Sequence, residues 1–295
     1  MKNTFIAIIA IFTAFNIQAQ RNAGVPIKQL LLLLSKETVS RGTAQNKSTK
    51  ASTNQSSQDC IVSYYWSGLI NNKIPIEISL EKKGRIIQGQ IVYTKTENKT
   101  PIKLIGTSYE NVFQFREITN DASITGFIEG EITADGGFKG TWTAPPRNIQ
   151  KDDEDSYDFV YGKEYSINLK SCKKRTSKLF SWAMNVEESV GEYSYTYGEN
   201  LTSGTLQLFK RDGRLFCTVG SVTSAPSYNI AEIIEQECTW KDGRLVCIVE
   251  EDEDFSCGFE IFPFSEFAII FYLEGYDICG FGHNATIEGI FLKQK

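Results

Sequence analysis

The chain contains a single histidine, His283, in the segment CGFGHNATIEGIF (279–291). Nucleophilic catalysis by a Ser-His-Asp triad or a Cys-His dyad would require this residue. No Gly-x-Ser-x-Gly sequence is present, and the nearest cysteine, Cys279, is expected to be oxidised. Gly280 and Gly282 permit a tight bend or bulge beside the histidine. We therefore predict a structural histidine before the last strand. The alternative is a catalytic His283 with partners from acidic loops.

Two acidic runs could supply oxygen ligands to a metal ion: DDEDSYD at 152–158 and EEDED at 250–254. Neither has the spacing or the glycine of an EF-hand loop, so a solvated turn is the simpler interpretation and Ca²⁺ binding is the alternative. The seven cysteines include no Cys-x-x-Cys, and we predict no zinc site and no cofactor. Carboxylate pairs for hydrolysis are compatible with the many Asp and Glu residues, whose separations the sequence does not fix.

Cysteine positions relative to predicted turns indicate which thiols pair. Asp-Gly at 242–243 is typical of a type I′ hairpin, and counting outward places Cys238 opposite Cys247 at a non-hydrogen-bonded position suited to a disulfide. The same count at Asp-Gly 212–213 puts Cys217 on an apolar face, which predicts a buried free thiol.

The remaining four cysteines are assigned by segment. Cys60 and Cys172 bound a 113-residue segment without other cysteines, and we predict a disulfide between them. On the chain-entropy model this bond would add about 4–5 kcal/mol of stability. Elimination then pairs Cys257 with Cys279.

The elements that position these residues are predicted to be strands. Apolar and polar residues alternate in KIPIEISLEKKGRIIQGQIVYT (73–94), around a glycine turn, and in ITGFIEGEITADGGFKGTWT (124–143); Phe113 and Phe115 share one face. Eight such strands can be counted in the first segment, and a closed meander would bury one face and protect both edges. The pattern recurs from residue 191 to the end. We predict an all-β protein with two consecutive small antiparallel up-and-down β-barrels of calycin-like type.

The first residues predict export. MKNTFIAIIAIFTAFNIQAQ (1–20) has one lysine, a short apolar run and a small residue before Gln20, as in a secretory signal peptide cleaved after Ala19. The run is too short to span a bilayer comfortably, so no membrane span is predicted. We predict a secreted or periplasmic protein of a bacterial envelope. Five Asn-x-Ser/Thr triplets would be available in a eukaryotic route as the alternative.

Composition divides the rest into a predicted flexible arm (20–58), a first barrel (59–172), a linker (173–188) and a second barrel (189–295). Residues 21–58 carry six basic groups against one acidic group, a balance of +5. From Asp59 onward 24 basic groups face 35 acidic groups, a balance of −11, so nucleic acid is not expected as a partner. The arm is rich in Ser, Thr, Asn and Gln, which predicts disorder. Its five consecutive leucines (30–34) could form a short helix.

Aromatic residues make up 12% of the chain and form clusters. If the clustered rings point inward they fill a core, which small barrels favour; if outward they form a surface suited to sugars or protein partners. The possible ligand-contact aromatics are Tyr64, Tyr65, Trp66, Tyr193, Tyr195 and Tyr197.

The C-terminal part resembles a known domain. A Cys in an apolar strand (Cys257), then Cys-Gly-Phe-Gly (279–282), then Gly-x-aromatic (Gly289 and Phe291) resemble the closing half of a small exported bacterial β-barrel domain. That domain occurs in uncharacterised and lysozyme-inhibitor-like envelope proteins. Phe291 stands where Tyr is expected. The first barrel is similar only in general spacing to avidin- and lipocalin-like barrels.

These observations favour a non-enzymatic binding protein that recognises a protein or a cell-envelope glycan. Its sharper form is inhibition of a lysozyme, whose basic surface an acidic body would attract. One alternative is a lipocalin-like carrier of a small apolar ligand. A second alternative is a carboxylate-dependent hydrolase of an envelope polymer.

Overall fold

The computed structural model describes residues 60–97, 99–150, 157–173, 181–182, 185–198, 201–224, 227–250, 256–276, 279–281 and 284–294. The predicted signal peptide and arm, His283 and most of the two acidic runs lie outside these ranges. Within them, no helix is long and apolar enough to cross a membrane.

The first barrel is closed and has eight antiparallel strands, which confirms the predicted architecture. In chain order the strands are β1 (Ile61–Ile70), β2 (Ile74–Lys83), β3 (Ile86–Tyr93), β4 (Ile102–Tyr109), β5 (Val112–Ile118), β6 (Ile124–Ile132), β7 (Phe138–Thr143) and β10 (Glu164–Ser171). Their order around the barrel is β1-β10-β7-β6-β5-β4-β3-β2. A separate two-stranded hairpin, β8 (Arg147–Gln150) and β9 (Tyr157–Val160), is inserted between β7 and β10.

Side chains pack the interior of the first barrel because alternate residues of each strand point inward. Trp66 stacks on Phe138 with ring centroids 5.1 Å apart, and Phe113 lies edge-on to Trp66 at 6.1 Å. Inward-facing glycines leave room for these rings, since a Cβ on Gly130 would lie 2.6 Å from Phe138 Cζ. The centre of this barrel is therefore an aromatic core.

The second barrel is also closed and eight-stranded, as predicted. A short helix, α1 (Val186–Ser189), precedes it and is capped by Asn185, whose side chain accepts the N–H of Glu187. The strands are β11 (Gly191–Thr196), β12 (Ser203–Arg211), β13 (Arg214–Val222), β14 (Ile230–Lys241), β15 (Arg244–Glu250), β16 (Ser256–Pro263), β17 (Phe267–Tyr272) and β18 (Gly289–Lys293). Sequential neighbours pair, and β18 closes the barrel on β11.

The two Asp-Gly turns have the predicted geometry. Asp212 and Gly213 have φ angles of 52° and 76°, and Asp242 and Gly243 have 51° and 77°, so both residues of each turn adopt the positive values of a type I′ turn. Strand pairing then runs outward from Lys241 and Arg244 in the predicted register.

The two barrels belong to one compact unit, Ile61–Lys295. Outward-facing residues of the first barrel, among them Ile86, Ile105 and Ile118, are buried in the same cluster as the core of the second. A main-chain hydrogen bond of 3.0 Å runs from Thr196 N–H in β11 to the Ala122 carbonyl in the β5–β6 loop. Apolar packing and backbone pairing thus join the barrels.

One arginine contributes a polar contact to the same junction. Arg85, in the β2–β3 turn, forms an ion pair with Glu260, and its guanidinium carbon lies 3.7 Å from the ring centroid of Phe271. Glu260 is buried and also pairs with Arg244 at 2.9 Å. Lys103 and Glu266 form a second, looser ion pair at 3.4 Å.

The predicted disulfides Cys238–Cys247 and Cys257–Cys279 are both formed. Cys217 is buried and free, as predicted. These two bonds brace β14 against β15 and anchor the segment before β18 to β16.

The predicted Cys60–Cys172 disulfide is wrong, because both thiols are free and exposed. The pairing of β1 with β10 begins at Trp66 and Ser171, and Cys172 N–H bonds the Tyr65 carbonyl. Cys60 is five residues from Tyr65 along the chain, one residue before β1 begins. The register between the first and last strands therefore does not bring the two cysteines opposite each other.

Candidate functional site at one end of the first barrel

The inward face of the first barrel carries few charged groups. Strand register places Glu117 on the inward row of β5 with Phe113 and Phe115, and Lys82 on the inward row of β2. Among the described strand residues of this barrel, Glu117 and Lys82 are the only charged ones on inward rows. Lys82 lies over the Phe113 ring at 5.5 Å, whereas Glu117 lies near the opposite end of the barrel.

Glu117 is almost completely buried, with 1% of its surface exposed. Its carboxyl group accepts a 2.8 Å hydrogen bond from Trp142 Nε1 and a second one from the Tyr93 hydroxyl. Burial raises the pKa of Glu117 above its usual value, and the two hydrogen bonds oppose that rise. Burial and the neighbouring carboxyl group raise the pKa of Tyr93, so this phenol remains a hydrogen-bond donor.

Two features of the backbone position this carboxyl group. A β-bulge shifts the pairing of β5 with β6 between Glu117 and Ile118, and such bulges redirect side chains. Gly126 lies directly opposite Glu117 on β6. A Cβ on Gly126 would lie 2.4 Å from both Glu117 Oε2 and Trp142 Nε1, so only glycine leaves room for their hydrogen bond.

Partly exposed aromatic rings surround the buried carboxyl group. Trp142 and Tyr165 face inward from β7 and β10 and stack with centroids 5.9 Å apart. Tyr93 and Ile102 complete this end of the barrel and, like the other two, are only partly buried. We call these four residues and Glu117 the aromatic mouth. It combines apolar ring surface with a polar group at its base.

The hairpin β8–β9 extends from the same end of the barrel. It is inserted between Trp142 near the end of β7 and Tyr165 near the start of β10. Ala144 N–H bonds the Lys163 carbonyl at 3.0 Å, which holds the two arms of the insertion together beside the mouth.

The aromatic residues predicted to contact a ligand occupy different positions. Trp66 is buried with 1% exposure, and Tyr64 is half-buried with its ring edge-on to Phe113. Tyr65 lies on the outward row of β1 and is half-buried. Trp66 is therefore a core residue and does not present a contact surface, because its ring fills the centre of the barrel.

A similar correction applies to β11. Tyr193 and Tyr195 point into the second barrel and are buried, with the Tyr193 hydroxyl donating to the Ser189 carbonyl at 2.6 Å. Tyr197 is half-buried and packs edge-on against Phe127 of the first barrel at 5.5 Å. Tyr193 and Tyr195 therefore belong to the core of the second barrel, and Tyr197 belongs to the junction between the barrels.

Sequence reasoning did not select the residues of the aromatic mouth. Extending the row of Phe113 and Phe115 by two positions reaches Glu117, a charged residue on an apolar face, and this was the available signal. Burial of a carboxyl group on such a row requires hydrogen-bonding partners. Those partners come from β3 and β7, which are distant in sequence.

Comparison with known protein families, with curated proteins and with solved structures found no match for this chain.

Proposed function

We propose that the protein is a non-enzymatic binding protein that holds a sugar unit of a cell-envelope glycan at the aromatic mouth. The observation that carries this proposal is the placement of one buried carboxyl group beneath partly exposed aromatic rings. Sugar rings present apolar C–H faces that pack on aromatic rings and hydroxyl groups that hydrogen-bond to carboxyl oxygens. Glu117 accepts two hydrogen bonds from the protein, and a carboxylate offers about four acceptor positions.

The packing of the interior supports binding at the mouth over carriage inside the barrel. Trp66, Phe113 and Phe138 fill the centre of the first barrel, whereas a lipocalin-like carrier requires an apolar cavity there. Hydrolysis by two carboxyl groups requires a second carboxyl about 5–9.5 Å from the first. On the inward rows of the described first-barrel strands, Glu117 is the single carboxyl group.

We place the protein outside the cytoplasm, secreted or periplasmic. The sequence of residues 1–20 is typical of a signal peptide. The disulfides Cys238–Cys247 and Cys257–Cys279 are compatible with an oxidising compartment.

The test is binding of soluble peptidoglycan fragments and other envelope oligosaccharides, measured by calorimetry on the secreted protein. Tyr165→Ala should weaken binding about tenfold or more, since ring contacts of this kind are worth about 0.5–1.5 kcal/mol beyond the burial of apolar area. Tyr109→Ala is the matched control, because Tyr109 is 67% exposed and lies at the opposite end of β4 from Ile102.

Other outcomes of the same experiment would contradict the proposal. Equal effects of Tyr165→Ala and Tyr109→Ala would remove the aromatic mouth as the binding site. Inhibition of lysozyme without oligosaccharide binding would indicate a protein ligand. Release of a lipid on extraction, or turnover of the oligosaccharide, would indicate the carrier or the hydrolase instead.

A further inference from the structure

Three cysteine sulfurs meet inside the second barrel. Cys217, Cys238 and Cys247 lie on the adjacent strands β13, β14 and β15, and all three are buried. Cys217 Sγ is 3.5 Å from Cys238 Sγ and 4.0 Å from Cys247 Sγ, beside the disulfide that joins the other two. The disulfide and the thiol together form a compact sulfur triangle on three strands of one closed sheet.

These separations match those of ligands around a single metal ion. With metal–sulfur distances of about 2.3 Å, three sulfurs in a trigonal arrangement lie about 4 Å apart. Cys217 is already at that spacing from both partners. The remaining edge of the triangle is the covalent bond between Cys238 and Cys247, whose Cα atoms are 4.4 Å apart. Cleavage of that bond frees both sulfurs to separate by side-chain rotation.

Thiol–disulfide exchange does not account for the third cysteine. Cys217 Sγ is almost equally distant from the two disulfide sulfurs, so it lies beside their bond and not on its extension, where an attacking sulfur must be.

We propose that the reduced protein binds one Cu(I) ion through Cys217, Cys238 and Cys247. Soft thiolate ligands favour Cu(I), Zn²⁺ and iron–sulfur clusters. Structural Zn²⁺ and the common iron–sulfur clusters take four protein ligands, so a group of three sulfurs favours Cu(I). No fourth His, Cys, Asp or Glu joins the group among the residues that the structure describes. This inference concerns the second barrel and is independent of glycan binding at the aromatic mouth.

The chemistry has two steps. A dithiol reductant transfers two electrons and two protons to the Cys238–Cys247 bond, which becomes two thiols while the dithiol closes to a cyclic disulfide. Cu(I) then displaces one proton from each of the three thiols. Oxidation of Cys238 and Cys247 leaves Cys217 as a single sulfur ligand, so metal binding depends on the redox state of this pair.

The test uses the full chain with Cys60→Ser, Cys172→Ser, Cys257→Ser and Cys279→Ser. These changes remove the two exposed thiols and the second disulfide, so that reduction frees no thiols outside the sulfur triangle. The protein is reduced in denaturant with a dithiol, refolded and freed of reductant without oxygen, and its fold is checked by circular dichroism. Cu(I) is then offered as its bicinchoninate complex, and the coordination number is read from the X-ray absorption edge. Cys217→Ala is compared with Val219→Ala, which removes volume from a buried inward position of the same strand.

The reduced protein should take up Cu(I) in a three-coordinate sulfur site. Cys217→Ala should lower the affinity about tenfold or more and reduce the coordination to two, because loss of even an outer-shell partner costs about 10–100-fold. Val219→Ala should preserve three-coordination. Three-coordinate Cu(I) in Cys217→Ala, equal uptake by the oxidised protein, or failure of the reduced chain to regain its fold or to take up Cu(I) would overturn the inference.

Discussion

Replacing Gly126 with alanine should break the contact between Glu117 and Trp142 at the aromatic mouth. The added Cβ would lie 2.4 Å from Glu117 Oε2 and from Trp142 Nε1, the two atoms that now share a 2.8 Å hydrogen bond. Contacts this short force atoms to move. The neighbours on both sides are parts of a packed barrel wall, so the indole and the carboxyl group must separate.

The magnitude follows from two contributions. Overpacking a well-packed interior costs about 1–3 kcal/mol. Loss of a hydrogen bond to a buried carboxyl group costs about 1.5–3 kcal/mol when the group is charged. If Trp142 moves away from the new Cβ, the overpacking is relieved but the hydrogen bond to Glu117 is lost. The two costs therefore do not add fully. We expect Gly126→Ala to lower the free energy of unfolding by about 2–4 kcal/mol.

Urea denaturation followed by circular dichroism measures this change. The matched control is Gly220→Ala in β13, where the nearest atoms to a new Cβ would be 3.7 and 3.9 Å away, in ordinary contact. That control should change stability by less than about 0.5 kcal/mol. Equal stability of Gly126→Ala and Gly220→Ala would refute the argument that glycine is required for the Glu117–Trp142 bond.

Three further predictions concern other parts of the molecule. The raised pKa of Glu117 means that the folded state holds this proton more tightly than the unfolded state, so its contribution to stability falls as pH rises from about 4.5 through the folded-state value. Glu117→Gln should therefore raise the melting temperature more at pH 7 than at pH 4, and a uniform shift at both would contradict this. Arg85→Ala should lower the free energy of unfolding by about 1–2 kcal/mol, because it removes the ring contact and the ion pair at the junction between the barrels. The control Lys103→Ala removes only the looser ion pair and should cost about 0–1 kcal/mol. Equal effects of the two variants in urea denaturation would count against a special role for Arg85. In the native protein, the exposed Cys60 and Cys172 should react with a maleimide reagent and the buried Cys217 should not. Mass spectrometry of the labelled peptides measures this, and modification of Cys217 without denaturant would contradict its burial.

Local sequence patterns determined most of the strands and some of their partners. Alternation of apolar and polar residues predicted the eight-stranded barrels because one face of every strand must be buried. Asp-Gly at 242–243 fixed the register of its hairpin, since a two-residue turn leaves one way to pair the flanking residues. The Cys238–Cys247 disulfide followed directly from that register.

Contacts between distant strands were decided only by the tertiary structure. The register between β1 and β10 depends on how the whole barrel closes, and it separates Cys60 from Cys172 although both flank the same segment. Cys217 meets the disulfide because a third strand, β13, places its side chain on the same inward face, which the intervals between cysteines do not reveal.

In the aromatic mouth, too, one part is determined by the local sequence and another by the tertiary structure. The sequence determined that Glu117 continues an apolar row, because alternation is a local property of one strand. The fold decided that Tyr93 and Trp142 reach its carboxyl group and that Gly126 leaves room for them, because these residues come from three other strands. Local alternation sets which way a side chain points, whereas barrel closure sets what it meets.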